Sequence, residues 1–255
     1  MNKKILVIFF IGILLSFIIF KVAYKENTKY LALGDELVLG YSPYGTYNKS
    51  YVDYFYRYLK SKNNVTLYKE FCSYDKRIQD IIKDIDELKE IKINNKSINI
   101  NQIIAKSDII TISFGQKEIY ELLNSNYNKN LKNIDTIYEY IDDYFNDYVL
   151  LLNKIRRISD SKIYIIGLYN PLINTNQKTI IKLEEIFNYI NKKFKSLEEN
   201  KNIYYVEISK GMDDKNYYVP KVNNPYPSLE GYNYISNVLI CKVSKKCWFL
   251  RIFLV

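Results

Sequence analysis

The residues best able to do chemistry stand in three short polar stretches, each at the end of an apolar run or just before a helical pattern. The first stretch contains Glu36, the second contains Lys117 and the third contains Tyr226. Two carboxyl groups held close together can act as acid and base, as in the hydrolysis of glycosides. Glu36 and Asp75 are the candidates for such a pair.

The chain of 255 residues contains no histidine. Histidine is the usual general base near neutral pH and the commonest metal ligand, so its absence excludes Ser-His, Cys-His and His-metal mechanisms. The three cysteines form no CxxC pair, and neither a zinc site nor a redox site is indicated. We therefore expect no metal and no cofactor. Several serines lie near the polar stretches without a histidine to activate them, among them Ser228, which we expect to cap the last helix.

The formal net charge is +9 and is spread along the chain. Such a charge favours weak attraction to anionic surfaces such as lipid headgroups or wall polymers. It is equally consistent with an ordinary solvated surface. We expect no nucleic-acid partner, because the sequence carries no motif that reads bases.

At the N-terminus, Lys3 and Lys4 directly precede a nearly unbroken apolar stretch from residue 5 to residue 20. This pattern is typical of an export signal, and residues 1–28 are predicted to be an uncleaved signal anchor that crosses the membrane once. The alternative is a cleaved signal and a secreted protein. Either way, the rest of the chain is expected outside the cytoplasm. Residues 243–255 form an apolar tail, which either packs on the domain or lies in the membrane interface.

Short apolar runs alternate with longer amphipathic segments from residue 29 onward. The pattern predicts strands at 30–33, 65–68, 108–114, 162–167 and 203–206, helices at 51–59, 78–88, 131–158 and 178–197, a last helix from about Ser228, and a hairpin at 91–100. Strands that alternate with helices imply a parallel sheet covered on both faces. Ligands of such sheets lie at the carboxyl ends of the strands, here the loops after Leu33, Phe114 and Val206.

The three polar stretches follow one another in a recognisable order. They read Gly-Asp-Glu-Leu at 34–37, Gly-Gln-Lys-Glu at 115–118 and Asn-Asn-Pro-Tyr-Pro at 223–227. Together with residues 163–172 they resemble the SGNH/GDSL hydrolases, a family of esterases and lipases whose loops read Gly-Asp-Ser-Leu, Gly-x-Asn-Asp and Asp-x-x-His-Pro. The resemblance covers about residues 29–242. It implies an α/β fold, a three-layer α/β/α sandwich with a flavodoxin-like parallel sheet, as a single domain.

The resemblance also assigns the catalytic positions. In the family a serine attacks the acyl carbon, a histidine oriented by an aspartate takes its proton, and a glycine and an asparagine help to hold the oxyanion. The positions equivalent to the family serine, glycine, asparagine, aspartate and histidine are Glu36, Asp75, Lys117, Asn223 and Tyr226. None keeps the family residue, whereas the surrounding scaffold residues remain: Gly34, Asp35, Leu37, Gly115, Pro227, Gly231 and Tyr232. The resemblance thus implies a retained fold and lost hydrolysis.

The replacements at two of these positions have opposite charge. We therefore expect Glu36 and Lys117 to form an ion pair that fills the former pocket, with Asp75 competing for Lys117. The alternative is that both side chains point into solvent.

Three functions follow as hypotheses. The first is a non-catalytic binding or interaction module, whose former pocket is rimmed by Tyr41, Tyr44, Tyr169 and Tyr226 and takes an acyl or glycan ligand. The second is an acyl-ester hydrolase that acts on envelope lipids or acylated glycans by an atypical mechanism. The third is a decaying gene product without a selected role.

Overall fold

The computed structural model describes residues 27–93, 95–127, 134–172, 176–212, 218–220 and 224–245. The predicted anchor at residues 1–28 and the apolar tail at 243–255 therefore lie almost entirely outside the described residues, as does Asn223. Within the described residues, no helix is long and apolar enough to cross a membrane.

The core of the structure is a sheet of five parallel strands. In chain order they are β1 (Asn27–Gly34), β2 (Asn64–Tyr68), β5 (Ile109–Ser113), β6 (Lys162–Ile166) and β7 (Ile203–Val206). Their order across the sheet is β2-β1-β5-β6-β7. This is the flavodoxin-like order that the resemblance implies, and the order reverses between β1 and β5. All five strands fall where the sequence predicts them.

A separate antiparallel hairpin joins β3 (Glu90–Ile93) and β4 (Lys96–Asn99). The sequence predicts this hairpin between residues 91 and 100. It leads directly into a short helix, α4 (Ile100–Lys106), whose first residue was assigned to the hairpin. The side chain of Asn99 accepts a hydrogen bond from the backbone N–H of Gln102 and starts the helix there.

Helices cover both faces of the sheet. The remaining helices are α1 (Glu36–Leu39), α2 (Tyr51–Lys60), α3 (Ile78–Asp86), α5 (Gln116–Tyr127), α6 (Ile134–Ile158), α7 (Gln177–Ser196) and α8 (Leu229–Ser244), with 3-10 turns at Leu197–Glu199 and Ser209–Met212. One apolar core lies between the sheet and α3 to α7, and a second lies between the sheet and α1, α2 and α8. The result is a helix-sheet-helix arrangement.

The last helix begins as its sequence predicts. The side chain of Ser228 accepts a hydrogen bond from the backbone N–H of Gly231, and Glu230 lies in the first turn near the positive end of the helix dipole. Its inner residues, including Tyr232 and Leu239, are fully buried. The cap therefore fixes where the chain leaves the segment around Tyr226 and enters the core.

Candidate functional site

The candidate site lies where β1 and β5 end side by side. Gly34 is paired with Ser113 in the sheet, and a Cβ atom on Gly34 would lie 2.5 Å from the carbonyl oxygen of Ser113. The missing side chain lets the two strand ends approach, and the backbone N–H of Asp35 donates to that carbonyl at 3.3 Å. Glu36 begins α1 and Lys117 is the second residue of α5. The adjacent strands therefore place these two residues face to face.

Glu36 and Lys117 form the ion pair that their opposite charges predict. The Nζ atom of Lys117 lies 3.2 Å from Oε1 of Glu36. The same carboxylate oxygen accepts a hydrogen bond from the backbone N–H of Asp75 at 3.1 Å. Only 1% of the Glu36 side chain is exposed. A carboxylate this deeply buried needs such donors to keep its charge.

Asp75 completes a triangle of charges. Its carboxylate pairs with the ammonium group of Lys117, as the predicted competition requires, and its side chain is 63% exposed. Partial burial lowers the pKa of Lys117, but the hydrogen bond to Asp75 and the charge of Glu36 outweigh this and raise it above its ordinary value. Lys117 is therefore a fixed cation at any physiological pH.

A row of tyrosines continues from the charge triangle. The ammonium of Lys117 lies 4.6 Å from the ring centre of Tyr74. The rings of Tyr74 and Tyr41 are 5.3 Å apart and those of Tyr41 and Tyr226 are 4.8 Å apart, all in edge-to-face geometry. Tyr47 packs against Tyr41 at 5.2 Å. Of the five predicted site positions, Glu36, Asp75 and Lys117 are in direct contact, and Tyr226 is linked to them through Tyr41 and Tyr74. The fifth, Asn223, lies outside the described residues.

Two further carboxyl groups near the triangle have raised pKa values. Burial, and then the charge of Glu36, raises the pKa of Asp35 well above its ordinary value, although its side chain accepts the N–H of Leu37 and caps α1. Burial raises the pKa of Glu118 to about 7, and Arg77 opposes this. The Arg77 guanidinium lies 3.6 Å away, but its side chain is 66% exposed, so solvent screens its effect.

The sequence of this domain matches one family along most of its length. The model of the GDSL-like lipase/acylhydrolase family matches residues 30–239. The chain belongs to this family. None of the curated proteins matches its sequence.

Solved structures of a lipase and of an acetylxylan esterase share the fold. The lipase Lip_vut3 from a goat rumen metagenome superimposes with a TM-score of 0.69, at 21% identity over 84% of this chain and 97% of that one. Axe2, an acetylxylan esterase from Geobacillus stearothermophilus, gives a TM-score of 0.56 at 14% identity, over 88% of this chain and 98% of that one. A variant of Axe2 with a histidine replaced by alanine is described as a catalytic mutant, and it superimposes with a TM-score of 0.60 at 14% identity, over 88% and 98%.

The predicted ligand-binding tyrosines of this GDSL-family chain differ in exposure. Tyr44 is 71% exposed and Tyr41 is partly exposed. Tyr169 is only 1% exposed, and its hydroxyl donates to the backbone carbonyl of Pro225. The prediction that Tyr169 rims a pocket is wrong, because its ring packs in the core between the sheet and α8. Tyr226 is likewise buried, at 6% exposure.

Sequence reasoning missed two amide side chains that hold the loop after β6. The buried side chain of Gln116 donates to the carbonyl of Tyr169 at 2.9 Å and accepts its N–H at 3.2 Å. Asn191 of α7 does the same for Leu168, at 2.7 and 2.9 Å. Neither residue belongs to a motif that would have singled it out. Tyr74 could have been singled out from the sequence, because it directly precedes Asp75, a predicted site residue.

Other nucleophilic groups of this GDSL-family chain are poorly suited to attack an ester. Burial raises the pKa of the Cys72 thiol to about 12, and the thiol donates to the carbonyl of Ala32. Ser42 bonds Thr46, and Ser228 caps α8. Within the described part of the chain, no group of three or more cysteine and acidic residues could hold a metal ion.

Proposed function

We propose that this GDSL-family protein is a binding module without ester-hydrolysing activity, held outside the cytoplasm by an N-terminal membrane anchor. One observation carries the proposal. The carboxylate of Glu36 accepts both the ammonium of Lys117 and the backbone N–H of Asp75. The carboxylate of Glu36 is thus already bound to the two hydrogen-bond donors at the centre of the site.

The residue-by-residue resemblance explains why this contact matters. Lys117 stands at the family asparagine position and Asp75 at the family glycine position, and both positions supply donors to the oxyanion in an esterase. Asp75 has φ of 57°, in the left-handed region that favours glycine, which supports its assignment to that position. With Glu36 at the serine position, the attacking hydroxyl is gone and the oxyanion donors are already bound.

The base is missing as well. Tyr226 stands at the family histidine position, and burial, followed by the charge of Glu36, raises its pKa above that of an ordinary tyrosine. Its hydroxyl therefore stays protonated near neutral pH and cannot accept a proton from an attacking group.

The surface beside the closed site suits a ligand with apolar faces and polar edges. Three exposed aromatic side chains belong to this region: Tyr47 and Tyr74, at 57% and 46% exposure, both pack against Tyr41, and Tyr44, at 71%, lies in the same loop as Tyr41 and Tyr47. Tyrosine rings offer contact area at low entropic cost, with a hydroxyl at the tip. We propose an acyl group or a glycan as the ligand class.

Hydrolysis of an aryl acetate by the purified full chain tests the loss of activity. Glu36→Ala is the matched control, and a variant combining Glu36→Ser, Lys117→Asn, Asn223→Asp and Tyr226→His rebuilds the family residues. We expect no turnover above the Glu36→Ala control. Turnover by the natural chain that disappears in Glu36→Ala would refute the proposal, whatever the rebuilt variant does.

Titration with an acetylated xylo-oligosaccharide and with a short fatty acid tests the binding function. Binding to either ligand should weaken at least several-fold when Tyr44 and Tyr47 are both replaced by alanine. The control replaces Leu150 and Ile181, each 45% exposed on α6 and α7, by alanine. Equal weakening in both variants would contradict a site at the tyrosines.

A second function is favoured by one observation. A carboxyl group with a pKa of about 7 is well matched to acid-base catalysis near neutral pH, and Glu118 has this property beside Lys117. An atypical acyl-ester hydrolase would therefore depend on Glu118 as well as on Glu36. In the same aryl acetate assay, turnover that falls in Glu118→Gln would favour this function over the binding module.

A further inference from the structure

A basic groove runs along the outer face of α2, apart from the candidate site. It encloses about 500 Å³ and is lined by Asn48, Lys49, Asp53, Tyr56, Arg57 and Lys60. We call it the α2 groove. It shares no residue with the charge triangle or with the tyrosines around it.

Side chains that recur at helical spacing along α2 form one wall of this groove. Asp53, Tyr56, Arg57 and Lys60 are separated by three, one and three positions, so that they form a single stripe on α2. The opposite face of the helix, which includes Val52, Phe55 and Leu59, is buried against the sheet and α8. The helix is thus fixed, and its charged stripe is held in place.

The positive charge of the α2 groove is not balanced by its own carboxylate. Oδ1 of Asp53 is bound to the ammonium of Lys69 at 3.1 Å. Oδ2 of the same side chain accepts the backbone N–H of Ser50 at 2.9 Å in the cap of α2. Among the described residues, Lys49, Arg57 and Lys60 form no ion pair. Three cations therefore face a groove whose acid is already occupied.

We propose that the α2 groove binds successive phosphate groups of a linear phosphodiester polymer. One guanidinium and two ammonium groups along the same groove suit phosphate oxygens, because arginine offers paired donors and lysine a point charge. The concave shape admits a chain more readily than the flat surface of a membrane. The overall charge of +9 adds long-range attraction to any polyanion.

The aromatic residues of α2 argue against nucleic acid as the occupant. Single-stranded nucleic acids are bound largely by bases that stack on open rings. Here Arg57 lies over the ring of Tyr54, and Lys60 over that of Tyr56, each at 5.9 Å. The chain's own cations thus lie where a base would stack. The α2 groove would therefore recognise its ligand through charge rather than through stacking on aromatic rings.

Binding of short poly(glycerol phosphate) chains to the purified full chain at low ionic strength tests the proposal. The groove variant combines Lys49→Gln, Arg57→Gln and Lys60→Gln. The control variant combines Lys106→Gln, Lys178→Gln and Lys195→Gln, which removes the same charge from exposed positions elsewhere. Thermal unfolding of all three proteins confirms that these surface changes leave the fold intact.

We expect affinity to fall about tenfold in the groove variant, as three exposed ion pairs would give, and less than twofold in the control. Equal losses in the two variants would show attraction by net charge alone and overturn the proposal. It would also be overturned if single-stranded DNA, or vesicles of anionic lipid, bound more tightly than the polymer and lost that binding in the groove variant. The proposal does not depend on the candidate site, so the hydrolysis assay leaves it unaffected.

Discussion

At the scale of single residues, the charge of Glu36 depends on a partner from another strand end. Its side chain is 1% exposed, and the partner Lys117 is 17% exposed. Removing one member of a buried ion pair leaves an uncompensated charge, which costs more than the pair itself contributes. The site should therefore respond unequally to the loss of its different members.

Lys117→Met should lower the free energy of unfolding by about 3 kcal/mol, because Glu36 would stay buried with only the N–H of Asp75 as donor. Glu36→Gln should cost less, since Lys117 keeps Asp75. Urea unfolding of the full chain measures both. Glu121, 3.9 Å from Lys117 and 57% exposed, provides the control, and Glu121→Gln should change stability by less than about 0.5 kcal/mol. Equal effects of Lys117→Met and Glu121→Gln would contradict the importance of the buried pair.

Glu118 should make stability depend on pH. Its pKa in the folded chain is about 7 against an ordinary value of 4.5, so the folded chain retains a proton that the unfolded chain releases between these values. The stabilisation by this proton is fully present below about pH 4.5 and is lost as the pH rises through about 7. Relative to Glu118→Gln, the free energy of unfolding of the natural chain should fall by on the order of 2–3 kcal/mol as the pH rises over this range.

Unfolding in urea at several pH values measures this difference. Glu87→Gln is the matched control, because that carboxylate is 65% exposed and solvent screens its interactions. A parallel profile for the natural chain and Glu118→Gln would contradict the raised pKa.

At the scale of elements, the loop after β6 is held by side chains of its neighbours. Asn191 on α7 binds both backbone groups of Leu168, and Gln116 on α5 binds both of Tyr169. Gln116 directly precedes Lys117, so the same turn of α5 anchors the loop and presents the cation of the site. Packing of the loop and geometry of the site are thereby linked.

Asn191→Leu should lower the free energy of unfolding by about 2–4 kcal/mol, because a buried N–H and a buried carbonyl of Leu168 would lose their partners. Asn188→Leu on the same helix is the control, since Asn188 is exposed, and it should have little effect. Thermal or urea unfolding distinguishes the two. Similar stabilities for both variants would show that the loop finds other partners.

The alternation of strands and helices was predictable because it follows from apolar periodicity. The first helix residues after β1 and β5 were less predictable. The α1 helix has only four residues, Glu36–Leu39, and the sequence of α5, Gln116–Tyr127, is too polar to show a clear apolar stripe. Their positions depend on the strand ends that precede them rather than on local propensity.

The candidate site was predicted in part through the family resemblance. The resemblance places Glu36 and Lys117 at facing positions of the family site, and their opposite charges then predict the contact. The exposure of Tyr169 was predicted wrongly, because tyrosine occurs both in cores and at the edges of pockets. The sequence does not show whether its ring faces the core or solvent. The hydrogen bonds of Gln116 and Asn191 to the loop after β6 could not be predicted from the sequence. They depend on where α5 and α7 lie relative to that loop, and only the tertiary structure shows this.

At the scale of the whole molecule, the exported placement of the domain remains a proposal based on the N-terminal sequence. The apolar stretch of residues 5–20, extended by residues 22–24, approaches the ~20 residues of a membrane-spanning helix. The full chain should therefore sediment with membranes, and deletion of residues 2–24 should move it to the soluble fraction. A soluble protein whose N-terminal sequence begins beyond residue 24 would favour the cleaved, secreted alternative.

The charge triangle of Glu36, Asp75 and Lys117 constrains how this chain can evolve. Exchanging Glu36 for serine alone leaves no base, and exchanging Lys117 for asparagine alone leaves a buried anion without its cation. Under the proposed loss of hydrolysis, we expect each single step toward the family residues to restore no activity, and some steps to cost stability. If hydrolysis is absent as proposed, the mutual dependence of these three charges makes it hard to reach by successive point mutations, although the family fold is present.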